Sequence, residues 1–585
     1  MTGARRDEPA NGEIAAAFEE LADLYELDGA TIHRVVAYRN AARTVRDSSV
    51  RVSRLALEGR ATQLPSIGTT LQEKIVALAT TGQIPALEQL RQRFPPGLLE
   101  LTRLPGLGPK RTLRLYQELG IDSLESLRAA ASQGRIRELK GFGRKAERTL
   151  LEAVQAQAEH GAAQRILLSR ALATGEELLA AIRGLPGAER AELAGSARRM
   201  TETVKDLDIV ASARDPAALT AAVGALPQVQ EASAPGRNAV RILTHSAIAA
   251  DVRVVEPDQF GNVHQHLTGS QQHNVALRER AVRLGLHISE YGVLDEATGV
   301  THRCATEAEV YALAGMAYIE PELREGRGEL EAALGGTLPR LVTAADLKGD
   351  LHCHTRASDG TASIEEMARA ARDAGYEYLA ITDHSATMGF GADVSADELR
   401  HQIERVRAID ATLPGFRLLI GSEVNILPDG SLDYPDELLS SLDWVLASVH
   451  TSFRMSRARM TGRLLAAIEH PHVDCIGHLS GRKILQREPY EFDPESVFEA
   501  AARTGTMLEI NANPDRRDLS ESQARAAAAA GIPLVINCDA HRPSGFEVVR
   551  YGVATARRAW LTPRQIANTL PWDDLAALRG RRAGA

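Results

Sequence analysis

At 585 residues, with 44% hydrophobic and 25% charged side chains, the chain is too long for one core and is expected to fold as roughly three to five units. Four scattered cysteines (Cys304, Cys353, Cys475 and Cys538) argue against a disulfide framework, and no apolar run approaches the roughly 20 residues that span a bilayer; with a polar start that lacks an apolar signal segment, a cytoplasmic protein with no membrane partner is expected. The net charge of −9 is uneven: residues 1–160 hold 23 Lys and Arg against 20 Asp and Glu, and the rest is acidic, which suits an anionic partner at the front and cations at the rear.

Residues 13–165 read as helices, from apolar residues at three- and four-residue spacing in IAAAFEELADLYEL and LQEKIVALATTG. Between them a short pattern recurs: Leu64-Pro65-Ser66-Ile67-Gly68, Leu104-Pro105-Gly106-Leu107-Gly108-Pro109-Lys110 and Leu139-Lys140-Gly141-Phe142-Gly143-Arg144-Lys145. Each copy opens a helix. Glycine permits a tight hairpin whose backbone N–H groups, at a helix N-terminus, reach a phosphate. The repeats resemble helix-hairpin-helix elements. That implies contacts to DNA without sequence readout through Gly68, Gly106, Gly108, Lys110, Gly141, Gly143 and Lys145, with Arg111 and Arg144 beside them. Ser66 stands where the other copies have glycine.

From about 166 to 255 helices mix with β-type runs such as LDIVAS and ADVRVV. Gly195-Ser196-Ala197-Arg198-Arg199 precedes Asp206-Leu207-Asp208, and carboxylates two apart on a strand share a face. Asp251, in the second run, adds a third carboxylate from another strand; three can hold two Mg²⁺ or Mn²⁺ ions for in-line phosphoryl transfer. From about residue 14 to 325 the chain resembles the family X DNA polymerases. The resemblance implies that Asp206, Asp208 and Asp251 are the catalytic, metal-binding groups. It also implies that Arg165, Gly195, Ser196 and Arg199 cradle a deoxynucleoside triphosphate. Thr268-Gly269-Ser270 and Asn274 would touch the nucleotide, and Arg278 the template minor groove. Lys74 matches the lysine that in some members attacks an abasic sugar as a Schiff-base nucleophile; a phosphate contact is the other reading. Two departures stand out. His266-Leu267 replace the family's Tyr-Phe, so weaker exclusion of ribonucleotides is expected, and Val204-Lys205 replace small or polar residues before the first aspartate.

After a Pro- and Gly-containing linker the pattern becomes regular. Seven strand-like runs (DLHCH, EYLAITDH, RLLIGSEV, WVLASVH, VDCIGH, MLEIN and PLVINCDAH) alternate with helical stretches, as in a parallel barrel whose chemistry gathers at the carboxy ends of its strands. Those ends carry His352, His354, Asp359, His384, Glu423, His450, His478, Asp539 and His541, ligand types for zinc, manganese or iron. Cys353 and Cys538 alternate away from the ligands and read as core. The region 349–580 resembles the polymerase-and-histidinol-phosphatase (PHP) domains, which implies a distorted seven-stranded barrel with up to three Mn²⁺, Zn²⁺ or Fe ions. By that resemblance His352, His354, Glu423 and Asp539 hold one ion, Glu423 bridges to a second held by His450 and His478, and Asp359, His384 and His541 hold the third. Arg482 is a candidate phosphate contact.

The expected fold is a multidomain α/β chain. Residues 1–92 form a helical DNA-binding domain with a helix-hairpin-helix, and 93–165 a fingers-like helical region. A nucleotidyltransferase palm covers 166–255, a thumb-like nucleotide-selection domain 256–335, a linker 336–348, and a distorted (β/α)7 barrel 349–580. The expected function is gap-filling DNA repair synthesis, as in base excision repair, with 3′-end processing as exonuclease, abasic-site endonuclease or 3′-phosphatase. The expected partners are gapped or nicked DNA and deoxynucleoside triphosphates, bound by a monomer. The competing expectations are a DNA-binding scaffold with a weak polymerase site and an active barrel, and a small-molecule phosphatase.

Overall fold

The computed structural model describes residues 8–48, 50–95, 97–102, 104, 107–139, 141–144, 146–151, 165–386 and 393–580. Gly106 and Lys145 lie outside the described residues. The chain divides into two compact units, one comprising 1–166, 170–193 and 205–260, the other 167–169, 194–204 and 261–585.

The first unit opens with helices. Ile14, Phe18, Leu21 and Tyr25, at helical spacing, bury one face of the helix Asn11–Leu27 in a core that also takes Val35, Ile75, Leu115 and Phe142. The hairpin repeats sit where the sequence expects them: Gly68 caps the helix Thr69–Thr81 and Gly108 caps Pro109–Leu119. Gly141 has φ +92°, a conformation that favours glycine, and Ser66 takes φ +62° at the equivalent position. The imperfect copy thus keeps the hairpin shape at some cost in backbone strain.

The rest of this unit holds a five-stranded sheet with helices, among them Pro216–Gly224. Its strands are β1 (Ala188–Ala194), β2 (Leu207–Ala213), β3 (Val229–Ala232), β4 (Ala239–Thr244) and β5 (Ala249–Val255), in spatial order β1-β2-β5-β4-β3. The two strand runs singled out in the sequence, β2 and β5, are parallel neighbours at the sheet's centre.

The second unit joins the thumb-like region to the barrel. A small antiparallel sheet of β6 (Leu286–Ser289), β7 (Gly292–Asp295) and β8 (Thr301–His302) lies beside a core of Leu277, Val293, Tyr311 and Leu323. The barrel strands are β9 (Gly349–Asp350), β10 (Tyr378–Ile381), β11 (Arg417–Asn425), β12 (Trp444–Ser448), β13 (Cys475–Ile476), β14 (Met507–Asn511) and β15 (Leu534–Asn537). They pair in parallel in chain order, and a bridge between Cys353 and Ala540 joins the last strand to the first. Alternation sorts the side chains. Tyr378, Ala380, Leu419, Trp444 and Leu446 fill the interior with Trp572 and Leu575 of the carboxy-terminal helix, whereas Leu379, Ile381, Leu418 and Ile420 pack outward against the helices. Cys353 and Cys538 fall in the outer core, as strand alternation requires.

The segment 336–348, expected as a linker, is packed. Leu341 joins the thumb core and Val342 the barrel core, and Val342 N–H donates to Leu561 O. Arg557 pairs with Glu322 at 2.7 Å and Arg558 with Glu325 at 2.8 Å. The thumb-like region therefore shares a compact unit with the barrel, a grouping that chain order does not suggest.

Candidate metal centre and nucleotide-handling residues

Nine ligand-type side chains converge at the carboxy ends of the barrel strands: His352, His354, Asp359, His384, Glu423, His450, His478, Asp539 and His541. His352 Nε2 lies 3.4 Å from Glu423 and 3.5 Å from Asp539; His354 Nε2 lies 3.6 Å and 3.2 Å from the same two carboxylates. The other oxygen of Glu423 faces His450 at 3.1 Å and His478 at 2.9 Å. Asp359 faces His384 at 3.6 Å and His541 at 3.1 Å. Donors bound about 2.0–2.2 Å from one ion lie roughly 3.0–3.6 Å apart, so these spacings suit shared cations. Among the described residues, the side chains that could share an ion fall into four overlapping sets: His354, Asp359, His384 and His541; His352, His354 and Asp539; His352, Glu423 and His478; and His384, Glu423 and His450.

A second observation tests the fit. His352 Nε2, both ring nitrogens of His354, His450 Nε2 and Glu423 Oε1 are buried without a hydrogen-bond partner. Buried polar atoms are rarely left so; ions held among these side chains would satisfy them. The opposite ring nitrogens are engaged. His352 Nδ1 donates to Glu509 at 2.7 Å, His450 Nδ1 to Asn425 Oδ1 at 2.6 Å, and His541 Nδ1 to Asp539 O at 2.9 Å. With an ion in place of the second ring proton, each donation would leave the Nε2 lone pair for the centre. Glu509, on β14, was not singled out in the sequence, although the alternation of MLEIN turns it to the ligand face. Asp383 was also missed: it accepts from Thr355, Ser358 and Gln402 and so anchors the loop that carries Asp359.

Burial alone would raise the carboxyls and depress the imidazoles; opposite charges decide the outcome. Against burial, His450 and His352 hold Glu423 well below the usual carboxylate range, and His352 holds Asp539 there. Against burial, Glu509, Asp539 and Glu423 hold His352 well above its usual value, and Glu423 and Asp359 keep His384 at about 10. His354 falls to about 4 through burial and its neighbours His384 and His541, and His478 falls to about 4 through burial and Arg516. Both therefore present neutral nitrogens at pH 7. Glycine is required nearby at Gly360, where a Cβ would meet His354 O at 2.5 Å. Arg482, a candidate phosphate contact in the sequence, forms a bidentate pair with Glu202 at 2.6 and 3.1 Å.

In the first unit, Asp208 on β2 is the cross-strand partner of Asp251 on β5, and Asp206 precedes Asp208 by one alternation. Arg241, on β4 opposite Asp251, lies 3.2 Å from Asp251 and 3.7 Å from Asp206. No motif surrounds Arg241 in the sequence; the pairing of β4 with β5 reveals it. Arg165 is exposed in this unit. Lys74 is half-buried on the helix Thr69–Thr81, Lys110 and Arg144 are exposed, and Arg111 donates to Gly141 O at 3.1 Å.

In the second unit, the segment bearing Gly195, Ser196 and Arg199 meets the Thr268-Gly269-Ser270 turn. Arg199 donates to Thr268 O at 2.5 Å and pairs with Glu325 at 3.0 Å, so a triphosphate would compete with Glu325 for it. Arg198 bonds Thr268 Oγ1 at 2.7 Å. Asn274 donates to His266 O at 2.7 Å, and Arg278 bonds the His266 ring at 3.0 Å. His266 thus takes part in the turn's own hydrogen bonding.

Comparison with known proteins follows the same division. Family models match a helix-hairpin-helix domain over residues 9–84, a SAM-like helix-hairpin-helix tandem over 98–156, a DNA polymerase beta thumb over 263–325 and a PHP domain over 350–513. A Bacillus subtilis (strain 168) protein named DNA polymerase/3′-5′ exonuclease PolX is 36% identical over 571 residues, covering 97% of this chain and 99% of that protein. A probable phosphatase of Thermoanaerobacter sp. (strain X514) is 33% identical over 233 residues, 38% of this chain and 89% of that protein. One from Acetivibrio thermocellus is 34% identical over 211 residues, 34% of this chain and 82% of that protein.

Proposed function

Because the chain belongs to the family X DNA polymerases that end in a PHP domain, and so is a DNA-repair polymerase with a metal-dependent phosphoesterase, we propose that it fills gaps in DNA and trims 3′ ends. Asp206, Asp208 and Asp251 hold Mg²⁺ or Mn²⁺ for nucleotidyl transfer from deoxynucleoside triphosphates. Arg165, Ser196, Arg199, Thr268, Ser270 and Asn274 bind the nucleotide, and the hairpin glycines with Lys110 hold gapped or nicked DNA. The barrel's nine residues hold up to three Mn²⁺, Zn²⁺ or Fe ions. Bound there, the ions lower the pKa of water and neutralise charge on a phosphate ester. The protein works as a monomer in the cytoplasm. Among the described residues, no helix is long and apolar enough to cross a membrane. Trimming is 3′–5′ exonucleolytic, in keeping with the name of the Bacillus subtilis relative.

The observation that carries the reading is the convergence of nine ligand-type side chains in a chain that is alignable along 97% of its length with a polymerase. Hairpin and polymerase segments in the same chain favour DNA over a small phosphate ester. Separation of the two activities tests it. Asp206→Ala with Asp208→Ala is expected to abolish primer extension on gapped DNA and leave trimming measurable. His352→Ala with His354→Ala is expected to do the reverse and to lower bound metal by elemental analysis. Extension that survives the first pair, or normal metal content with normal trimming in the second, would overturn the assignments.

A further inference from the structure

Beside the metal centre lies a cavity of about 630 Å³, within the roughly 300–1,000 Å³ range of ligand sites. The ligand His450 lines it, and so do Phe453, Lys483, Arg487 and Arg516. Arg516 Nε stands 3.6 Å from the metal-ligating Asp539, so the cavity is continuous with the centre. Its far side is built around one flat cation. The Arg487 guanidinium lies over the Phe453 ring at 4.2 Å, and its Nε donates to Gly481 O at 2.8 Å. Phe453 is backed by Tyr490, with centroids 6.1 Å apart and planes 24° from parallel. Gly481, at φ +60°, permits this stack, since a Cβ there would meet Tyr490 at 2.6 Å. One guanidinium face is thus covered by an aromatic ring and held in a fixed plane. Lys483, paired with Asp515 at 3.1 Å, adds a second cation, and exposed Arg454 and Arg459 follow Phe453 in the chain.

Resting on the phosphoesterase reading of the barrel, we propose that this cavity seats the 3′-terminal nucleotide of a DNA single strand, its base on the outer face of the Arg487 guanidinium. Arg516 and Lys483 take phosphate oxygens on either side of the bond to be cut. The chemistry favours a polynucleotide over a small phosphate ester. A lone phosphate needs point charges, whereas unstacked bases are held on aromatic rings and on guanidinium planes. Fixing the plane beforehand spares the ordering cost at binding. A single strand suits the site because its terminal base, with no complement to hold it, is free to turn onto the guanidinium.

The test uses the full chain, with single-stranded oligonucleotides that end in either a normal or a base-lacking 3′ residue, and bis(p-nitrophenyl) phosphate as a small diester. The unaltered enzyme is expected to trim the base-bearing end with a KM about tenfold lower than the base-lacking end, as stacking of one base allows. Arg487→Lys keeps the charge and loses the plane; it is expected to abolish that preference with little change in kcat. Phe453→Leu should act in the same direction through loss of the support. Lys483→Gln is expected to keep the preference and to lower the salt slope of oligonucleotide KM by about 0.7, one phosphate contact on a single strand. A 3′-terminal 4-thiothymidine, irradiated in the complex, is expected to crosslink within residues 483–487, a readout that needs no turnover. An Arg487→Lys enzyme with an undiminished preference, or a crosslink confined to other segments, would overturn the subsite. If the unaltered enzyme cleaves neither oligonucleotide nor small diester, the phosphoesterase reading fails instead, and the crosslink still judges the cavity.

Discussion

At the scale of single side chains, the barrel's centre depends on oxygens outside the ligand set. Glu509 accepts from His352 Nδ1 at 2.7 Å, from His478 N–H at 2.8 Å and from Asn537 Nδ2 at 3.0 Å, fully buried. It fixes both the orientation and the tautomer of His352. Glu509→Gln keeps the volume but removes the charge that makes this imidazole a strong donor. The expected result is a loss of metal affinity of about 10–100-fold at the site shared with Asp539, with polymerisation unchanged. Competitive metal titration measures it, and an unaltered affinity would reduce Glu509 to a packing role. The candidate ligands were legible because eight of the nine stand at or near the end of a recognisable strand run and Asp359 follows the first run in a loop. Glu509 was not, because MLEIN reads equally well as an ordinary buried strand. Arg241 was hidden for a related reason: its importance lies in the register of β4 against β5, which no local pattern encodes. Backbone strain also gathers at the ligands, with His478 at φ +27° and Asp539 at φ +53°, where the strands bend away at the barrel mouth.

At the scale of elements, the strand runs and hairpin caps followed from the sequence, but their lengths did not. β9 and β13 are two residues each, because the chain leaves the ladder early to deliver His352 and His478. The thumb helix Glu307–Leu313 shows a constraint that periodicity cannot reveal. Its first residue, Glu307, is buried and accepts from Arg198 at 2.5 and 2.9 Å and from Arg324 at 2.6 Å. Burial alone would raise its carboxyl, but the two guanidiniums outweigh that and hold it far below the usual range. A depressed folded-state pKa contributes stability that is fully present above the unfolded value of about 4.3 and is lost as pH falls toward the folded value. Glu307→Gln leaves the buried Arg324 and the part-buried Arg198 without their carboxylate, so a loss of about 3–5 kcal/mol is expected near pH 7. The gap between the two proteins should hold from pH 7 to 5 and narrow below about pH 4.5. Denaturant unfolding at stepped pH measures this; a gap that stays constant down to pH 3 would show that the carboxylate's charge is not the stabilising feature.

At the scale of the molecule, domain boundaries drawn from motifs and those drawn by packing differ. The motif order suggests a polymerase half, a linker and a barrel half. In the structure the thumb-like region belongs with the barrel, and the segment Gly195–Val204 is held in the same unit: Arg482 grips Glu202, Arg517 donates to Met200 O at 3.0 Å, and Arg558 donates to Arg199 O at 2.6 Å. These contacts join residues more than 200 positions apart, which sequence periodicity cannot report. They have a thermodynamic consequence. A ligand that binds only the folded state stabilises it by RT ln(1 + [L]/Kd), about 4 kcal/mol at a thousandfold excess over Kd. In the metal centre, removing the ions also leaves buried imidazole nitrogens unpartnered and the carboxylates of Glu423, Asp539 and Glu509 close together. Chelation is therefore expected to lower the unfolding temperature of the second unit by several degrees. Because the thumb core of Val310, Tyr311 and Leu323 belongs to that unit, its amides should lose protection along with the barrel strands. The helix Asn11–Leu27, in the first unit, should keep its own protection. Hydrogen exchange with and without chelator, read peptide by peptide, decides the matter. Full thumb protection beside a loosened barrel would mean that the two open independently, and that the shared unit is one of geometry and not of cooperativity.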